Sequence, residues 1–433
     1  MVTAATITEL EPAQVGRPAD DVVVVGGGVA GLACARALLD AGRGVRVLEA
    51  RTLGSGASHG NCGTLTPSHA PPLAAPGTVM TALRWMLVPD APLYIPPRLD
   101  PHLWRWLWRF ALHCNVRDWR ASAHAKHALL EDSRARIESW IARDGLQCEF
   151  TRSGEDYVFR DPRAFEHEMA EVPLLRELGI ELELLDGAAC EAGEPALKPG
   201  VAGAIRFSGD AALRPDHYVD ELARVVRTHG GVIDEGRAFT GIERIDGGVR
   251  VQTSQGPLDA RDVVVASGAW SPLLARVLGQ RWLRGVIQPG KGYSITYDAP
   301  PMVPRRPLVL RDHSVCVTAW GNSYRLGSTM EFSGYDATLN PRRLAALERG
   351  AHAFLHEPVG PAVRERWCGW RPMCVDDVPL IGAVPGAPGV WLATGHGMMG
   401  VGMSAGTGQL LADLMTGRDP AIDPHPYRPA RFA

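Results

Sequence analysis

The segment that most constrains the fold lies near the N-terminus. Residues 22–51 read VVVVGGGVAGLACARALLDAGRGVRVLEAR. Four consecutive valines predict a fully buried strand, the Ala- and Leu-rich stretch from about Val29 to Leu39 predicts a helix, and VRVLE predicts a second buried strand. A chain with this strand, helix and strand in immediate succession is expected to build a parallel sheet around a βαβ unit.

Three glycines between the first strand and the helix indicate what this unit binds. Gly26, Gly28 and Gly31 form the pattern G-x-G-x-x-G. The first glycine allows the turn, the second lets a pyrophosphate approach the backbone, and the third lets the helix pack on the strand. Glu49 ends the second strand, where a carboxylate accepts hydrogen bonds from an adenosine ribose. Together these residues predict a dinucleotide site, but they do not distinguish NAD from FAD.

The residues after the second strand favour FAD. Residues 50–77, ARTLGSGASHGNCGTLTPSHAPPLAAPG, do not resume the helix and strand rhythm of an NAD domain, and form instead a long loop of small residues. We expect this loop to run along a bound flavin dinucleotide. Its candidate cofactor contacts are Ala50, Arg51, Ser58, Asn61, Gly63, Thr64 and Leu65.

Charge and cysteine content argue against several classes of function. The formal net charge is −3 and no long run of like charges occurs, which disfavours a nucleic-acid-binding protein. The 8 cysteines are irregularly spaced without a CxxC, so neither a disulfide framework nor a zinc site is expected. His352 and His356 have the i, i+4 spacing of metal ligands but lack the glutamate of HExxH, so no metal is expected.

The N-terminal residues and the apolar runs give an indication of the cellular location of the protein. Residues 1–19 lack a basic start and an apolar core, so they are predicted to be a flexible leader and not a signal peptide. No apolar run reaches the length needed to span a membrane. These features favour a cytoplasmic protein.

A second glycine-rich segment lies near the C-terminus. Residues 393–414, ATGHGMMGVGMSAGTGQLLADL, contain six glycines and then continue as a helical pattern. Within it, GMSAG fits the G-x-S-x-G nucleophile elbow of α/β-hydrolases, with Ser404 as nucleophile. Against this, the predicted strand VWLAT ends about ten residues earlier, and the later histidine, His425, lies in a proline-rich tail. A serine hydrolase and a non-catalytic dinucleotide sensor remain alternatives to a redox enzyme.

Further motifs along the chain resemble one family. They are the loop at residues 50–77 with its continuations TALRWMLVPDAPLYI and HLWRWLWRFALHCN, then RPDHYVDELARVV (214–226), DVVVASGAWS (262–271), QPGKGYSI (288–295), YRLGSTMEFSGYD (324–336) and WCGWRPMCVDDVPLIG (367–382). In this order they resemble the flavin-dependent D-amino acid dehydrogenases, of the amine-oxidising superfamily that includes glycine oxidase and sarcosine oxidase. The chain departs from that pattern in its leader and in CVDDVP, where the family usually has a PDGxP turn.

The resemblance implies an α/β and α+β flavoprotein of the glutathione-reductase type. A Rossmann-like FAD-binding domain would be interleaved with a substrate domain whose sheet is mixed or mostly antiparallel. We expect the FAD-binding domain to comprise residues 20–78, 200–275 and 372–420. The substrate domain would comprise 79–199 and 276–371, followed by a C-terminal tail at 421–433.

The resemblance also implies that the second glycine-rich segment closes on the flavin ring. The helix that begins near Ser404 would direct its positive N-terminus at the pyrimidine end of the ring. Since GHGMMG contains no cysteine that could attach a covalent flavin, we expect noncovalent FAD. The additional expected cofactor contacts are Gly268, Gly397, Met398, Met399 and Gly400.

The resemblance places substrate-binding residues on the other side of the ring. Arg371 in GWRPM would bind the substrate carboxylate, because a planar guanidinium grips both oxygens. Tyr293 in KGYS and Arg325 in YRLG would complete this clamp from the substrate-domain sheet. His69 and His396 flank the two loops expected to meet at the flavin, and each either lines the pocket or only packs.

The implied reaction is the oxidative dehydrogenation of a D-amino acid, by hydride transfer from the α-carbon to N5 of FAD, giving an imino acid. No general base is needed if the amine binds neutral, so activity should rise with pH. A cyclic secondary amino acid, D-proline or cis-4-hydroxy-D-proline, is the alternative substrate. The implied partners are the amino acid and an electron acceptor, which is a quinone, another respiratory-chain component or oxygen.

The segment LWRWLWRFALHC at 103–114 predicts an amphipathic helix. Arg105 and Arg109 lie away from its apolar side, and Trp106 and Phe110 interrupt its polar face. Tryptophans beside arginines also occur in interfacial membrane helices, and the resembling bacterial dehydrogenases are often described as membrane-associated. We expect packing on the substrate domain, with peripheral membrane association as the alternative. The predicted apolar side carries Leu103, Trp104, Leu107, Trp108, Ala111 and Leu112.

Overall fold

The computed structural model describes residues 20–85, 93–96 and 98–433, with Trp85 described by its backbone alone. The predicted leader at 1–19 and the part of the resembling segment at 86–92 lie outside the described residues. Within them the helices are α1 (Val29–Asp40), α2 (Thr78–Trp85), α3 (Pro101–His113), α4 (Val116–Asp144), α5 (Pro162–Glu168), α6 (Val172–Glu177), α7 (Gly187–Gly193), α8 (Pro215–Thr228), α9 (Pro341–Phe354) and α10 (Ser404–Thr416).

The strands are numbered in chain order through both sheets. They are β1 (Asp20–Val25), β2 (Val45–Leu48), β3 (Thr64–Leu65), β4 (Leu93–Tyr94), β5 (Glu155–Phe159), β6 (Glu183–Asp186), β7 (Gly203–Phe207), β8 (Ala211–Ala212), β9 (Val232–Asp234), β10 (Phe239–Ile245), β11 (Gly248–Thr253), β12 (Leu258–Val265), β13 (Ile287–Asp298), β14 (Leu308–Leu310), β15 (Val315–Trp320), β16 (Ser323–Glu331), β17 (Val363–Cys374), β18 (Leu380–Ala383) and β19 (Val390–Thr394).

The first sheet is built around the predicted βαβ unit. Its strand order is β10-β11-β12-β1-β2-β9, and β19 extends it beside the second half of β12. Strands β9, β2, β1, β12 and β19 run parallel, whereas the hairpin β10-β11 and strand β18 run antiparallel to their neighbours. The four valines of β1 are buried, because residues on both faces of a parallel sheet are covered by helices.

The second sheet is mixed, as predicted. Its strand order is β17-β13-β16-β15-β14-β5-β7-β6, with β4 beside β16. All neighbours are antiparallel except the pairs β14-β5 and β4-β16. Strand β7 belongs to this sheet because it pairs with β5 and β6, although the predicted boundary placed residues 200–275 with the FAD-binding domain.

One face of the second sheet packs against α9. Leu344, Leu347 and Phe354 of that helix form a single apolar cluster with Tyr293 and Ile295 of β13. Because side chains alternate along a strand, the neighbouring residues of β13 point to the opposite face. That opposite face is turned toward the loop that follows β2, since Cys62 of the loop lies against Gly327 of β16.

Helix α10 packs closely on its neighbours through glycines. A Cβ on Gly408 would lie 2.4 Å from the backbone oxygen of Ala33 in α1, and a Cβ on Gly406 would lie 3.0 Å from Leu129 and Ser133 of α4. These two glycines of the C-terminal segment therefore serve helix packing and not contact with a flavin.

We expect Gly408→Ala to destabilise the protein by about 1–3 kcal/mol, because the added methyl must displace backbone of α1. A lowered urea midpoint of the FAD-loaded protein would show this. Gly209→Ala is the control for the loss of a glycine without a steric clash, since Gly209 has no positive φ and nothing lies within 4 Å of its Cβ position. If Gly408→Ala were the more stable of the two variants, the packing explanation would be wrong.

The prediction of which side of α3 is buried was partly wrong. Leu103 and Trp106 are buried, and the Trp106 indole nitrogen donates to the carbonyls of Val286, at 3.2 Å, and Met373, at 3.0 Å. Trp104 and Trp108 of the predicted apolar side are instead 56% and 65% exposed. The helix is rotated toward Trp106 because that side chain finds both an apolar cluster and carbonyl acceptors for its N–H group.

Candidate active site

The predicted dinucleotide loop has the geometry that a pyrophosphate requires. Gly26 has φ +117°, and a Cβ on it would lie 2.5 Å from the Ala266 carbonyl oxygen. A Cβ on Gly31 would lie 1.9 Å from the Gly26 oxygen, so a side chain there would separate helix from strand. Gly28 precedes α1 without a side-chain cap, which leaves N–H groups of the first helical turn available to an anion.

Glu49 lies at the same end of the sheet. Its carboxylate accepts from the backbone N–H groups of Gly27 and Arg51, both at 2.9 Å. The neighbouring Ser58 hydroxyl accepts from the Val29 N–H at 3.0 Å, beside the start of α1. A carboxylate at the end of β2 and an uncapped helix after a tight glycine turn together fit the adenosine and pyrophosphate of FAD.

The loop after β2 is fixed by its own side chains and by Arg325. The Asn61 side chain donates to the Ser58 carbonyl at 2.8 Å and accepts from the Gly63 N–H at 2.8 Å. Arg325 donates to the carbonyls of His59, at 3.1 Å, and Asn61, at 2.7 Å. Through these contacts Asn61 and Arg325 hold the loop in its conformation. The same hydrogen bonds occupy N–H groups of Arg325 that the predicted carboxylate clamp would need.

The remaining predicted cofactor contacts lie along the same path. The guanidinium carbon of Arg51 lies 5.3 Å from the centre of a Trp270 ring, and Gly268 accepts from the Thr394 hydroxyl at 3.1 Å. Ala50 is exposed beside Arg51. Gly63 precedes β3, which consists of Thr64 and Leu65 and pairs with β8.

The C-terminal glycine segment meets the end of β17. The Gly397 N–H donates to the Pro372 carbonyl at 3.0 Å, and His396 forms a bridge with Met373. Met398 is 38% exposed, and Gly400 lies beside the His396 side chain. Met399, in contrast, is buried in the core cluster shared with α1 and α10, which argues against its predicted contact with the flavin.

The structure buries His396 among protein groups. Its Nε2 lies 3.0 Å from the Thr407 hydroxyl, and the residue is 5% exposed. Burial lowers the pKa of His396 to about 4, so the side chain is neutral at physiological pH. This favours the packing alternative for His396.

Ser404 is unsuited to nucleophilic catalysis. It is fully buried, and its hydroxyl donates to the Val401 carbonyl at 2.7 Å and contacts the Tyr218 hydroxyl at 3.3 Å. No histidine of the described residues hydrogen-bonds to Ser404, so the base that a nucleophile elbow requires is missing from that part of the chain.

Arg371 is a partly buried cation that has no carboxylate partner within the described residues. Its Nη1 donates to the Thr329 carbonyl at 2.6 Å, and within the described residues no acidic side chain forms an ion pair with it. Desolvation lowers the pKa of Arg371. Since an unpaired buried charge is costly, this guanidinium is prepared for an anion supplied from outside the chain.

Gly292 makes room for this guanidinium. A Cβ on Gly292 would lie 2.4 Å from the central guanidinium carbon of Arg371, so the two residues share a face of the sheet. Tyr293 is one residue further along β13 and therefore points to the opposite face, where its hydroxyl donates to Glu331 at 2.9 Å. The predicted role of Tyr293 in the carboxylate clamp is therefore wrong.

The accessibility of the side chains around Arg371 indicates an internal space beside this residue. Cys62, Cys316, His69 and Arg371 all remain partly accessible although protein surrounds them, and desolvation lowers the pKa values of His69 and Arg371. Cys62 lies against Gly327, which pairs with Cys316, and the charge of Arg371 acts to lower the pKa of both thiols. The space thus combines a cation, two thiols and a neutral imidazole.

Sequence reasoning missed Cys62, Cys316 and Gly292 as lining residues. One signal was available for Gly292. In PGKGYSITYD the small residues Gly290, Gly292, Ser294 and Thr296 alternate with large ones, which indicates a strand face left open for another group. Cys316 lies in a strand whose sequence shows no comparable alternation of size.

Comparisons with known proteins agree with this geometry. Residues 21–414 match the family described as FAD dependent oxidoreductase. A D-amino acid dehydrogenase from Cereibacter sphaeroides is 35% identical over 413 residues, covering 93% of this chain and 93% of the relative. A D-amino acid dehydrogenase from Methylobacterium nodulans is 33% identical over 95% of this chain and 99% of the relative.

Solved structures share the fold. Glycine oxidase from Geobacillus kaustophilus superposes with a TM-score of 0.72 at 23% identity, covering 94% of this chain and 97% of that chain. L-proline dehydrogenase from P. horikoshii gives a TM-score of 0.70 at 18% identity, covering 95% of this chain and 97% of that chain. The predicted fold class and the predicted need for FAD are confirmed, and the chain belongs to the family of FAD-dependent oxidoreductases.

Proposed function

We propose that this protein is an FAD-dependent dehydrogenase that oxidises the Cα–N bond of a D-amino acid to an imino acid. The observation that carries the proposal is Arg371, a partly buried and desolvated guanidinium without an acidic partner in the described residues, next to an internal space. The curated relatives named D-amino acid dehydrogenase, which align over nearly the whole chain, support the same reaction and the D configuration.

FAD, when bound, supplies the hydride acceptor. The residues of the protein position the cofactor and the substrate and supply the charge that binds the substrate carboxylate. Gly26, Gly28, Gly31 and Glu49 would hold the dinucleotide, and noncovalent attachment is expected. Arg371 would bind the substrate carboxylate in a bidentate manner, which fixes the α-carbon relative to the cofactor site. Arg325 would contribute indirectly by holding the loop that carries Cys62.

The identity of the amine can be tested directly. Arg371 reads only the carboxylate, so a primary D-amino acid and the cyclic D-proline or cis-4-hydroxy-D-proline can use the same anchor. Anaerobic flavin bleaching by D-alanine but not by D-proline would support a primary amine as substrate. Bleaching by the cyclic compounds alone would replace the primary amine with a secondary one in the proposal.

We further propose that electrons leave through a quinone or another membrane-bound carrier, and that the protein associates with the membrane surface. In the described parts of the chain no helix is both long and apolar enough to cross a bilayer. Trp104, Trp108 and Leu112 of α3 nevertheless repeat every fourth residue and are 56%, 65% and 56% exposed, and Val116 at the start of α4 is 60% exposed. An exposed apolar stripe of this kind is typical of an interaction surface.

Replacing Trp104 and Trp108 with serine is expected to weaken binding to anionic lipid vesicles by about tenfold or more, because each buried aromatic side chain contributes roughly 1.5–3 kcal/mol. Co-sedimentation with vesicles of an anionic phospholipid measures the effect. Replacing the exposed Leu273 with serine is the control at a distant apolar position. Equal sedimentation of all three proteins would contradict the membrane proposal and leave the reaction untouched.

A further inference from the structure

Beside the internal space lies Glu155, a buried carboxyl group whose side-chain oxygens accept no hydrogen bond. It is 1% exposed, and both of its side-chain oxygens lack a hydrogen-bond partner. It begins β5, whose alternation places Glu155 and Tyr157 on one face and Val158 in the cluster packed against α9. Glu155 therefore lies on the face of the second sheet that carries Cys316.

His69 connects Glu155 to the internal space. Its Nδ1 is 3.7 Å from Oε2 of Glu155, and its side chain is 28% exposed. The Tyr157 hydroxyl lies at the edge of the same ring, 2.6 Å from Nδ1 and 2.9 Å from Nε2. The imidazole therefore has a partly accessible side and a side facing a phenol and a buried carboxyl.

We propose that His69 accepts a proton from the substrate ammonium group and passes its other ring proton to Glu155. The inference rests on the proposed function, since it gives the amine of that substrate a route to its neutral form. In this step an N–H bond of the ammonium breaks, an N–H bond forms on His69, and the second ring proton ends on a carboxylate oxygen. The neutral amine keeps its lone pair, and no oxidant is consumed.

The distances suit this role in the absence of substrate. A contact of 3.7 Å is slightly longer than a hydrogen bond, and catalytic hydrogen bonds commonly tighten only when substrate binds. Glu155 acts through His69, so it is a positioning residue, whereas His69 would touch the substrate. The Tyr157 hydroxyl would fix the orientation of the His69 ring. In many catalytic sites a hydrogen bond to one ring nitrogen of the histidine does the same.

Electrostatics support the assignment. Desolvation, with Asp210 and Cys62 as further causes, raises the pKa of Glu155 well above its usual value. Desolvation and the nearby cations lower the pKa of His69 to about 3, so His69 carries protons only in transit. A carboxylate with a raised pKa holds a proton more strongly than an ordinary glutamate, which favours Glu155 as the final acceptor.

Several other groups act on this pair. Asp210 is held by Ser68, and desolvation raises its pKa to about 7. The titratable and charged groups around Glu155 and His69 are Cys62 of the loop after β2, Lys126 of α4, Asp156 and Tyr157 of β5, Asp210 before β8, and Arg311 after β14. Because Glu155 accepts a proton only when ionised, activity is expected to rise with pH as Glu155 loses its proton.

Rapid anaerobic mixing of the FAD-loaded protein with D-alanine tests this. Glu155→Gln is expected to slow flavin reduction at neutral pH by about 10²-fold, with recovery toward high pH where the amine is already free. Binding of propionate, which has the carboxylate but no amine, should be unchanged. Glu348→Gln, on the face toward α9 where it contacts Tyr297, is the matched control and should behave as wild type.

Infrared spectroscopy gives a readout without turnover. A carboxyl band that appears as the pH is lowered, matched by the loss of a carboxylate band and absent from Glu155→Gln, would show that Glu155 takes up a proton. If Glu155→Gln fails to hold FAD, His69→Gln should show the same kinetic loss while keeping that band. Wild-type kinetics and pH profile in either variant would overturn the inference. Failure of every D-amino acid to reduce the wild-type flavin would instead refute the proposed function.

Discussion

Arg371→Ala is expected to lower kcat/KM by about 10²–10³-fold, mainly through KM. Truncating one partner of a buried, hydrogen-bonded charge pair costs roughly 2–5 kcal/mol. The loss should appear in KM because the carboxylate contact exists in both the bound ground state and the transition state. Steady-state kinetics with a D-amino acid and titration with propionate measure the two consequences, and FAD content should stay unchanged.

Arg371→Lys tests whether the charge of Arg371 alone is enough or whether the guanidinium geometry is also needed. The guanidinium lies over Gly292, where a Cβ would lie 2.4–2.5 Å from its central carbon and both Nη atoms, whereas an ammonium provides a point charge without the fork geometry. We expect lysine to recover only part of the loss. Arg366→Ala is the control, because Arg366 lies on the same strand but is exposed. Propionate affinity that is equal in wild type and Arg371→Ala would remove the carboxylate anchor from the account.

Lys126→Met is expected to destabilise the protein by about 3–5 kcal/mol. Lys126 and Asp377 form a buried ion pair with Nζ 2.6 Å from Oδ2, and their side chains are 4% and 6% exposed. Removing the ammonium leaves the Asp377 carboxylate buried without its countercharge. That carboxylate also accepts from the Leu73 N–H at 3.2 Å and lies against Gly397, so the pair joins α4 to both loops of the site.

The double variant Lys126→Met, Asp377→Gly is expected to recover most of the lost stability. Asp377 has φ +59°, a conformation that costs an L-residue about 1–2 kcal/mol and glycine much less. Glycine there also restores the turn that the family usually has. Urea midpoints of the FAD-loaded wild type, both single variants and the double variant give the coupling energy. A Lys126→Met protein as stable as wild type would show that the pair contributes nothing.

The nucleotide end of the site was predictable from the sequence because its signals are local. Gly26, Gly28, Gly31 and Glu49 fall within one βαβ unit, so spacing along the chain fixes their spacing in the fold. The structure places them at one end of the first sheet, around an uncapped helix start. The same holds for the start of α10, which begins at the predicted Ser404.

The substrate end was less predictable because it is assembled across distant strands. Arg371 on β17 reaches over Gly292 of β13 to Thr329 of β16, and only the strand pairing reveals that Tyr293 faces the other way. Glu155 joins the site through β5, three strands beyond β16 in the sheet. Nothing in the local sequence of Glu155 distinguishes it from a surface glutamate at a strand end.

Helix α3 shows a different limit of sequence reasoning. A helical projection identifies apolar positions but does not decide which of several tryptophans is buried when they surround the helix. The choice depends on tertiary acceptors for the indole N–H, which Trp106 finds in Val286 and Met373. Trp104 and Trp108 lack such acceptors in the described residues and are exposed.

The most direct test of the central claim is anaerobic titration of the FAD-loaded protein with the two enantiomers of one amino acid, followed by flavin absorbance. The account predicts that D-alanine bleaches the oxidised flavin and that L-alanine does not, with Arg371→Ala requiring a much higher D-alanine concentration for the same bleaching. Bleaching by L-alanine alone would contradict the proposed stereochemistry. A flavin that no D-amino acid, primary or cyclic, reduces would contradict the proposed reaction.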